Sequence, residues 1–288
     1  MDVSGKKVTL IGMGRTSLAL ARLLVRLVAI PFISECRAAG DCGDFPAQSK
    51  NDSIAFECGG HTEMALTDSC LVIPSPGVPL DASIVSLARD AGIRVMGELE
   101  FASRHCSCRL IGVTGTNGKT TTTELIAHLY DACEIPVLLA GNNDRPFSSI
   151  VSDLSSSDTV VLELSSYQLE LVEEFRCDVA VVLNVTPDHL GRHGSLENYA
   201  SAKSRIFANQ NADDVAIINA VDLLTAPMAE NHPGRVIRFG ESPDAEVKLE
   251  RDAFIVSGKS VATRDDSPLR GLHNTENILA ALSVMSTL

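Results

Sequence analysis

GVTGTNGKT, residues Gly112–Thr120, decides how this chain is to be read. It continues an apolar run that starts at Arg109 and leads into TTTELIAHLYDAC. A strand that ends in a Gly-rich loop, with a helix opening at about Lys119, lets backbone N–H groups and the helix N-terminus surround phosphates. In such a loop the lysine, Lys119, reaches the terminal phosphates and Thr120 the magnesium. The common GxxxxGK[ST] spacing asks for glycine at 113, where this chain has Val113. The strand, loop and helix context compensates.

Outward from the loop, strand character recurs in PVLLA, TVVLEL, VAVVLN and VAIIN, with helical sequence at 195–209. Buried, β-branched strands alternating with helices predict a parallel α/β sheet. From Arg235 the short segments VIRFG, AEVKLE, AFIVSG and KSVAT predict a small antiparallel appendage. A helix is expected from Asn274 to the end at Leu288. N-terminal to the loop, VTLIG, SLALARLLVRL, PFISE, CLVIPS and ASIVSLARDAG form a separate alternating series, read as a Rossmann-like, doubly wound sheet. The expected division is therefore α/β in both parts: residues 1–107 as one domain and 108–288 as a P-loop-type ATPase domain.

The 288 residues are long for one core. They carry a net charge of −13, which argues against a nucleic-acid partner, whose phosphates want a basic surface. No segment has the ~18 apolar residues of a membrane span. MDVSGKK runs directly into VTLIG without the long apolar stretch of a signal peptide, which points to the cytoplasm. The eight cysteines include no CxxC pair, so they read as free thiols.

Other strand ends carry candidate groups. Glu163 closes an apolar strand, where a carboxylate is costly to bury unless it meets a cation, and in phosphate-loop enzymes such a carboxylate holds magnesium. Asp188 and His189 follow the strand VAVVLN, at the edge where α/β sheets place ligands. GMGRTS (Gly12–Ser17) follows the first strand, and Glu35 ends the next, close to the dinucleotide spacing; Ser17 stands where the third glycine would be. That imperfect fingerprint admits a nucleotide-sugar or other phosphate, NAD, or a plain tight turn.

TGTNGKTTT, ELSSYQLE, NVTPDHLGRHGSLENYASAKSRIF and GLHNTEN together resemble the Mur ligase family, in consistent order along the chain. ELSSYQLE favours the branch that adds D-glutamate to UDP-N-acetylmuramoyl-L-alanine. The resemblance implies a cytoplasmic, monomeric enzyme of peptidoglycan precursor synthesis. ATP phosphorylates the substrate carboxylate, and the amine of D-glutamate attacks the acyl phosphate. It further implies that Gly115, Thr116, Asn117, Gly118, Lys119, Thr120 and Thr121 bind ATP, with Asn274 and Asn277 near the adenine or else at a helix N-cap. Thr120 and Glu163 are implied ligands of one Mg2+ and His189 of a second, joined by Lys203 as a CO2-derived carbamate. Lys119, Glu163, His189 and Lys203 form the implied catalytic set. Gly14, Arg15, Thr16, Ser17, Glu35, Arg37 and the Ser75-Pro76-Gly77 turn correspond to the uridine-diphosphate pocket, while Asn142 and Ser165 face the reacting end beside His189.

Three departures stand out. The family loop GNIGxP reads GNNDRP, with Asn143 and Asp144 replacing an apolar residue and a glycine. DHxDRH reads DHLGRH, with Gly191 for aspartate. The family's third domain, which supplies most of the D-glutamate site, is expected to be absent from these 288 residues. The alternatives to a ligase are accordingly a binding fragment for UDP-sugar and ATP with negligible turnover, or an NAD-dependent oxidoreductase using GMGRTS.

Overall fold

The computed structural model describes residues 1–288 as two units. The first comprises Met1–Cys106 together with Asp144–Leu154 and Glu170–Glu173; the second comprises Ser107–Asn143, Ser155–Leu169 and Glu174–Leu288. No helix is long and apolar enough to cross a membrane.

In the first unit β1 (Lys7–Ile11), α1 (Arg15–Arg26), β2 (Ile30–Glu35), α2 (Phe45–Asn51), β3 (Ala55–Cys58), β4 (Ser69–Pro74), α3 (Ser83–Asp90), β5 (Arg94–Val95) and α4 (Glu98–Ser103) alternate. The sheet order is β3-β2-β1-β4-β5, parallel throughout. The order reverses between β1 and β4, and ligands of open α/β sheets bind at such a switch point, beyond the strands' carboxyl ends. Gly12–Ser17 follows β1 there, and Ser75-Pro76-Gly77 follows β4. Residues Leu18, Leu20, Ala21 and Leu24 bury one face of α1, the i, i+3, i+4 spacing of an amphipathic helix.

The second unit contains β6 (Arg109–Thr114), α5 (Lys119–Ala132), β7 (Leu138–Gly141), β8 (Thr159–Glu163), α6 (Ser166–Leu169), β9 (Val179–Val182), α7 (Leu190–His193), α8 (Leu196–Ser204), β10 (Val215–Asn219), β11 (Arg235–Phe239), β12 (Val247–Glu250), β13 (Ala253–Val256), β14 (Lys259–Thr263) and α9 (Leu272–Met285). One nine-stranded sheet runs β14-β13-β12-β11-β10-β9-β6-β8-β7. Ile278, Leu279, Ala281 and Val284 of α9 join Ile126 and Tyr130 of α5 in the core over Ile111, Val113 and Val181. Each such Ile, Leu or Val side chain, fully buried, contributes about 1.5–3 kcal/mol.

The antiparallel appendage starts later than the sequence suggests. VIRFG, as β11, pairs parallel with β10 and touches β12 in parallel through Phe239 and Val247; only β12, β13 and β14 run antiparallel. The alternation in VIRFG reports a partly covered face, with Ile237 and Phe239 buried, and carries no information on direction. Direction follows from the connection Ala220–Gly234, long enough for a crossover. The last helix also begins two residues earlier than expected, after Gly271, so neither Asn274 nor Asn277 is its cap.

Candidate functional site

The loop after β6 is laced to the segment after β9. Thr116 N–H donates to Asn184 O (2.9 Å), Asn117 N–H to Asn184 Oδ1 (2.9 Å) and Thr186 N–H to Thr116 Oγ1 (3.0 Å). Gly118 caps α5 at φ +86°, and a Cβ there would lie 2.2 Å from Asn277 Oδ1, so the position requires glycine. Asn277 is buried and accepts from Thr122 Oγ1 at 3.3 Å. The structure therefore seats Asn277 against the loop itself, while Asn274, one helical turn earlier, is half-buried, donates to Arg270 O and accepts from Asn277 Nδ2 at 3.4 Å. No side chain caps α5, which leaves its first N–H groups for a ligand. Lys119 folds back, donating from Nζ to Gly115 O (3.0 Å) and Thr116 O (2.9 Å), and Thr121 continues the helix's first turn, half-buried.

Glu163 is buried at the end of β8 and accepts two hydrogen bonds, from Thr120 Oγ1 at 2.7 Å and Asn142 Nδ2 at 2.9 Å. Gly141, at φ +114°, permits this approach: a Cβ would stand 2.2 Å from Glu163 O. Asn142 N–H in turn donates to Glu163 O at 2.7 Å. Ser165, two residues beyond Glu163, donates from both N and Oγ to Gln168 Oε1 (3.0 Å each).

Lys203 in α8 is only 1% exposed. Its Nζ donates to Gly115 O at 2.8 Å, the carbonyl that Lys119 also uses, and lies 4.4 Å over the Tyr199 ring. Burial, aided by repulsion from Lys119 and opposed by Asp188, pushes the Lys203 ammonium down to about 7. Burial likewise lowers Lys119, against the pull of Glu163 and Asp188. His189 sits at φ 52°, half exposed, with its ring 5.1 Å from Tyr167 and 6.1 Å from Tyr199. Tyr199 thus touches both His189 and Lys203.

Sequence reasoning missed the packing around this pair. His193, largely buried, shares a hydrogen bond with Ser166 Oγ at 3.0 Å and packs on Tyr167 (5.6 Å, 25°) and Tyr199 (5.0 Å). The i, i+4 spacings His189/His193 and Tyr199/Lys203 were the available signal. Gly191 has open space where a side chain would start, so packing does not exclude the aspartate of the family pattern.

In the first unit Ser17 Oγ donates to Gly12 O (2.6 Å) and meets Ser75 Oγ (2.8 Å), which joins the two switch-point loops. Gly14, Thr16, Pro76 and Gly77 line the same loops with no hydrogen-bonded side chain. Glu35, 3% exposed, accepts from Met13 N–H (2.6 Å), Arg37 N–H (2.9 Å) and Arg37 Nη2 (2.7 Å). Burial opposes ionisation of Glu35, but these hydrogen bonds, the Arg37 guanidinium first, bring it down to about 2. Its oxygens are therefore committed to the protein, where an NAD-binding fold offers the carboxylate to a ribose. Arg37 remains half exposed and also donates to Met13 O. Arg15 forms an ion pair with Asp144.

A doubly wound unit and a second α/β unit with a phosphate loop define an α/β protein of the P-loop type. Residues 113–285 match the Mur ligase middle domain, and residues 6–97 match the Mur ligase MurD-like, N-terminal domain. The chain belongs to the Mur ligase family. It is 39% identical to the UDP-N-acetylmuramoylalanine–D-glutamate ligase of Acidobacterium capsulatum, over 98% of this chain and 63% of that protein. With the protein of the same description from Geobacter sp. (strain M21) it shares 37% identity, over 98% of this chain and 64% of the relative. The chain thus spans somewhat under two thirds of the length of these relatives. Among solved structures, the fold matches UDP-N-acetylmuramate:L-alanyl-gamma-D-glutamyl-meso-diaminopimelate ligase from Neisseria meningitides at TM-score 0.68 and 16% identity, covering 98% of this chain and 94% of that one. It also matches the UDP-N-acetylmuramate-alanine ligase MurC of Thermotoga maritima at TM-score 0.59 and 23% identity, covering 98% and 65%.

Proposed function

We propose that this chain carries the nucleotide-sugar site and the ATP site of a cytoplasmic ligase that joins D-glutamate to UDP-N-acetylmuramoyl-L-alanine. The observation that carries the reading is the buried Glu163 carboxylate, gripped from one side by Thr120 of the phosphate loop and from the other by Asn142. A hydroxyl and a carboxylate 2.7 Å apart are hard oxygen donors of the kind magnesium accepts.

Thr120 and Glu163 would hold one Mg2+, and His189 with Lys203 as its carbamate a second; the ions supply neutralisation of phosphate charge. Lys119 exchanges the Gly115 and Thr116 carbonyls for the terminal phosphates, and the open N–H groups of α5 bind the phosphate oxygens. Asn277 fixes the loop through Gly118. The substrate carboxylate oxygen attacks the γ-phosphorus of ATP and ADP leaves. The D-glutamate amine then adds to the acyl carbon, loses a proton, and expels phosphate with the formation of the amide. The protein's contribution is to align two anions and offset their charge. At Lys203, burial next to Lys119 leaves roughly half the amines unprotonated near pH 7, the form that reacts with CO2.

Calorimetric titration of the 288-residue chain with Mg2+-ATP and separately with UDP-N-acetylmuramoyl-L-alanine tests the reading. One site for each is expected; absence of either refutes it. Where the substrate carboxylate is labelled with 18O, any phosphate released on adding D-glutamate is expected to carry one 18O. Unlabelled phosphate would rule out the acyl phosphate.

A further inference from the structure

We propose that Asp144 is a built-in competitor for the anion that Arg15 binds, so that a nucleotide-sugar diphosphate must displace its carboxylate on entering the first unit. The inference rests on the UDP-sugar reading of that unit. Two guanidiniums stand beyond the carboxyl ends of its strands, Arg15 after β1 and Arg37 after β2, and the fold treats them differently. Arg37 is fixed by Glu35, a carboxylate that is itself buried and held by the Met13 and Arg37 N–H groups. Arg15, the first residue of α1, is 57% exposed, and its partner Asp144 is 96% exposed. No other hydrogen bond anchors the Asp144 carboxylate or the Arg15 guanidinium.

Asp144 lies two residues after Asn142 in sequence, yet it belongs to the first unit, on the segment Asp144–Leu154. It is also where this chain departs from the GNIGxP pattern, replacing a glycine that offers Arg15 no counter-charge. The first turn of α1 contains no acidic residue, and Gly14 provides no side-chain cap. Asp144 is therefore the carboxylate that Arg15 holds in the absence of ligand. A phosphate group engages a guanidinium through two parallel hydrogen bonds and greater charge, so it displaces a lone exposed carboxylate at modest cost. Exposed pairs of this kind shift an equilibrium by up to about fivefold.

The test is a double-mutant cycle on the 288-residue chain, D144N against R15M, with UDP-N-acetylmuramoyl-L-alanine titrated by calorimetry at roughly 50 mM salt and again at roughly 0.5 M, where exposed charges are screened. D144N is expected to lower the Kd about two- to fivefold at low salt, with less gain at high salt. The gain should vanish in the R15M background, and thermal unfolding of D144N should match wild type. An unchanged or weaker Kd for D144N overturns the proposal. So does an equal gain with and without Arg15, which would make Asp144 a simple repelling charge. If wild type binds and D144N changes nothing, this inference alone fails; if wild type does not bind, the UDP-sugar reading falls and takes the inference with it.

Discussion

Replacing Lys203 by methionine removes a buried cation from the second unit while keeping most of the side-chain volume. In the folded chain burial and Lys119 bring this ammonium from 10.5 to about 7. Between those values the unfolded chain holds a proton that the folded chain has released, so stability rises with pH across that window. Below pH 7 both states are protonated and the penalty is constant. At about 1.4 kcal/mol per unit, and with partial protonation near pH 7, the wild-type chain gains about 2 kcal/mol between pH 7 and pH 9 from this group. Lys203→Met has no such gain. It loses the Nζ hydrogen bond to Gly115 O, a constant cost of about 1 kcal/mol, although Lys119 still reaches that carbonyl. Urea unfolding at pH 6, 7, 8 and 9 in CO2-free buffer reads the difference. The stability of K203M relative to wild type should be greatest at pH 6–7 and fall by about 2 kcal/mol by pH 9. Curves that stay parallel within about 0.5 kcal/mol would refute the assignment of a depressed, desolvated ammonium. Added bicarbonate should then stabilise wild type more than K203M, because only the wild type has the buried amine at position 203 to form a carbamate.

Gly118→Ala places a methyl group 2.2 Å from Asn277 Oδ1 in a left-handed backbone conformation. A loss of about 2–4 kcal/mol is expected in urea unfolding, with weaker ATP binding; full wild-type stability would show that Asn277 does not fill this space. Glu163→Gln keeps oxygen toward Asn142 and can donate to Thr120, so it should fold normally yet lower Mg2+-ATP affinity tenfold or more, about 1.4 kcal/mol, by calorimetry. An unchanged affinity would remove Glu163 from the metal site. Glu98 of α4 is fully buried, and although Ser148 N–H donates to Oε1 at 2.7 Å, burial pushes its carboxyl up. The folded state therefore binds this proton more tightly, and wild-type stability falls as pH rises above the ordinary carboxylate range. Glu98→Gln should be the more stable protein at pH 7 and lose that advantage toward pH 4; a gap independent of pH would contradict this.

How far the site could be read depended on the distance between partners in sequence. Gly115–Thr120 was legible because strand, loop and helix are contiguous, and Glu163 because a carboxylate closing an apolar strand calls for a cation. Lys203 read by itself as a solvated lysine on an amphipathic helix; the carbonyl that receives its Nζ belongs to Gly115, 88 residues earlier. Arg15 and Asp144 are 129 residues apart, and nothing local in GNNDRP indicates that its second half packs with the first unit. The direction of β11 was hidden for a related reason, since residue alternation records coverage of a face and direction belongs to the connection.

Gly115 shows why the loop is poised to exchange partners. One carbonyl receives both Lys119 Nζ and Lys203 Nζ, which brings two cations close together in a desolvated pocket. Each lysine is depressed by burial, and Lys203 further by Lys119. Such crowding is relieved by anions: phosphates that draw Lys119 away, or a carbamate that reverses the charge on Lys203. As a ligand of the proposed second Mg2+, the carbamate brings in a cation that offsets phosphate charge, so carbamate formation and Mg2+-ATP binding favour each other. Nucleotide affinity should therefore rise with bicarbonate in the wild-type chain and be independent of it in K203M, which calorimetric titration of Mg2+-ATP at fixed pH with and without bicarbonate measures directly. Equal affinities in wild type would mean that the two lysines, although they share a carbonyl, do not communicate.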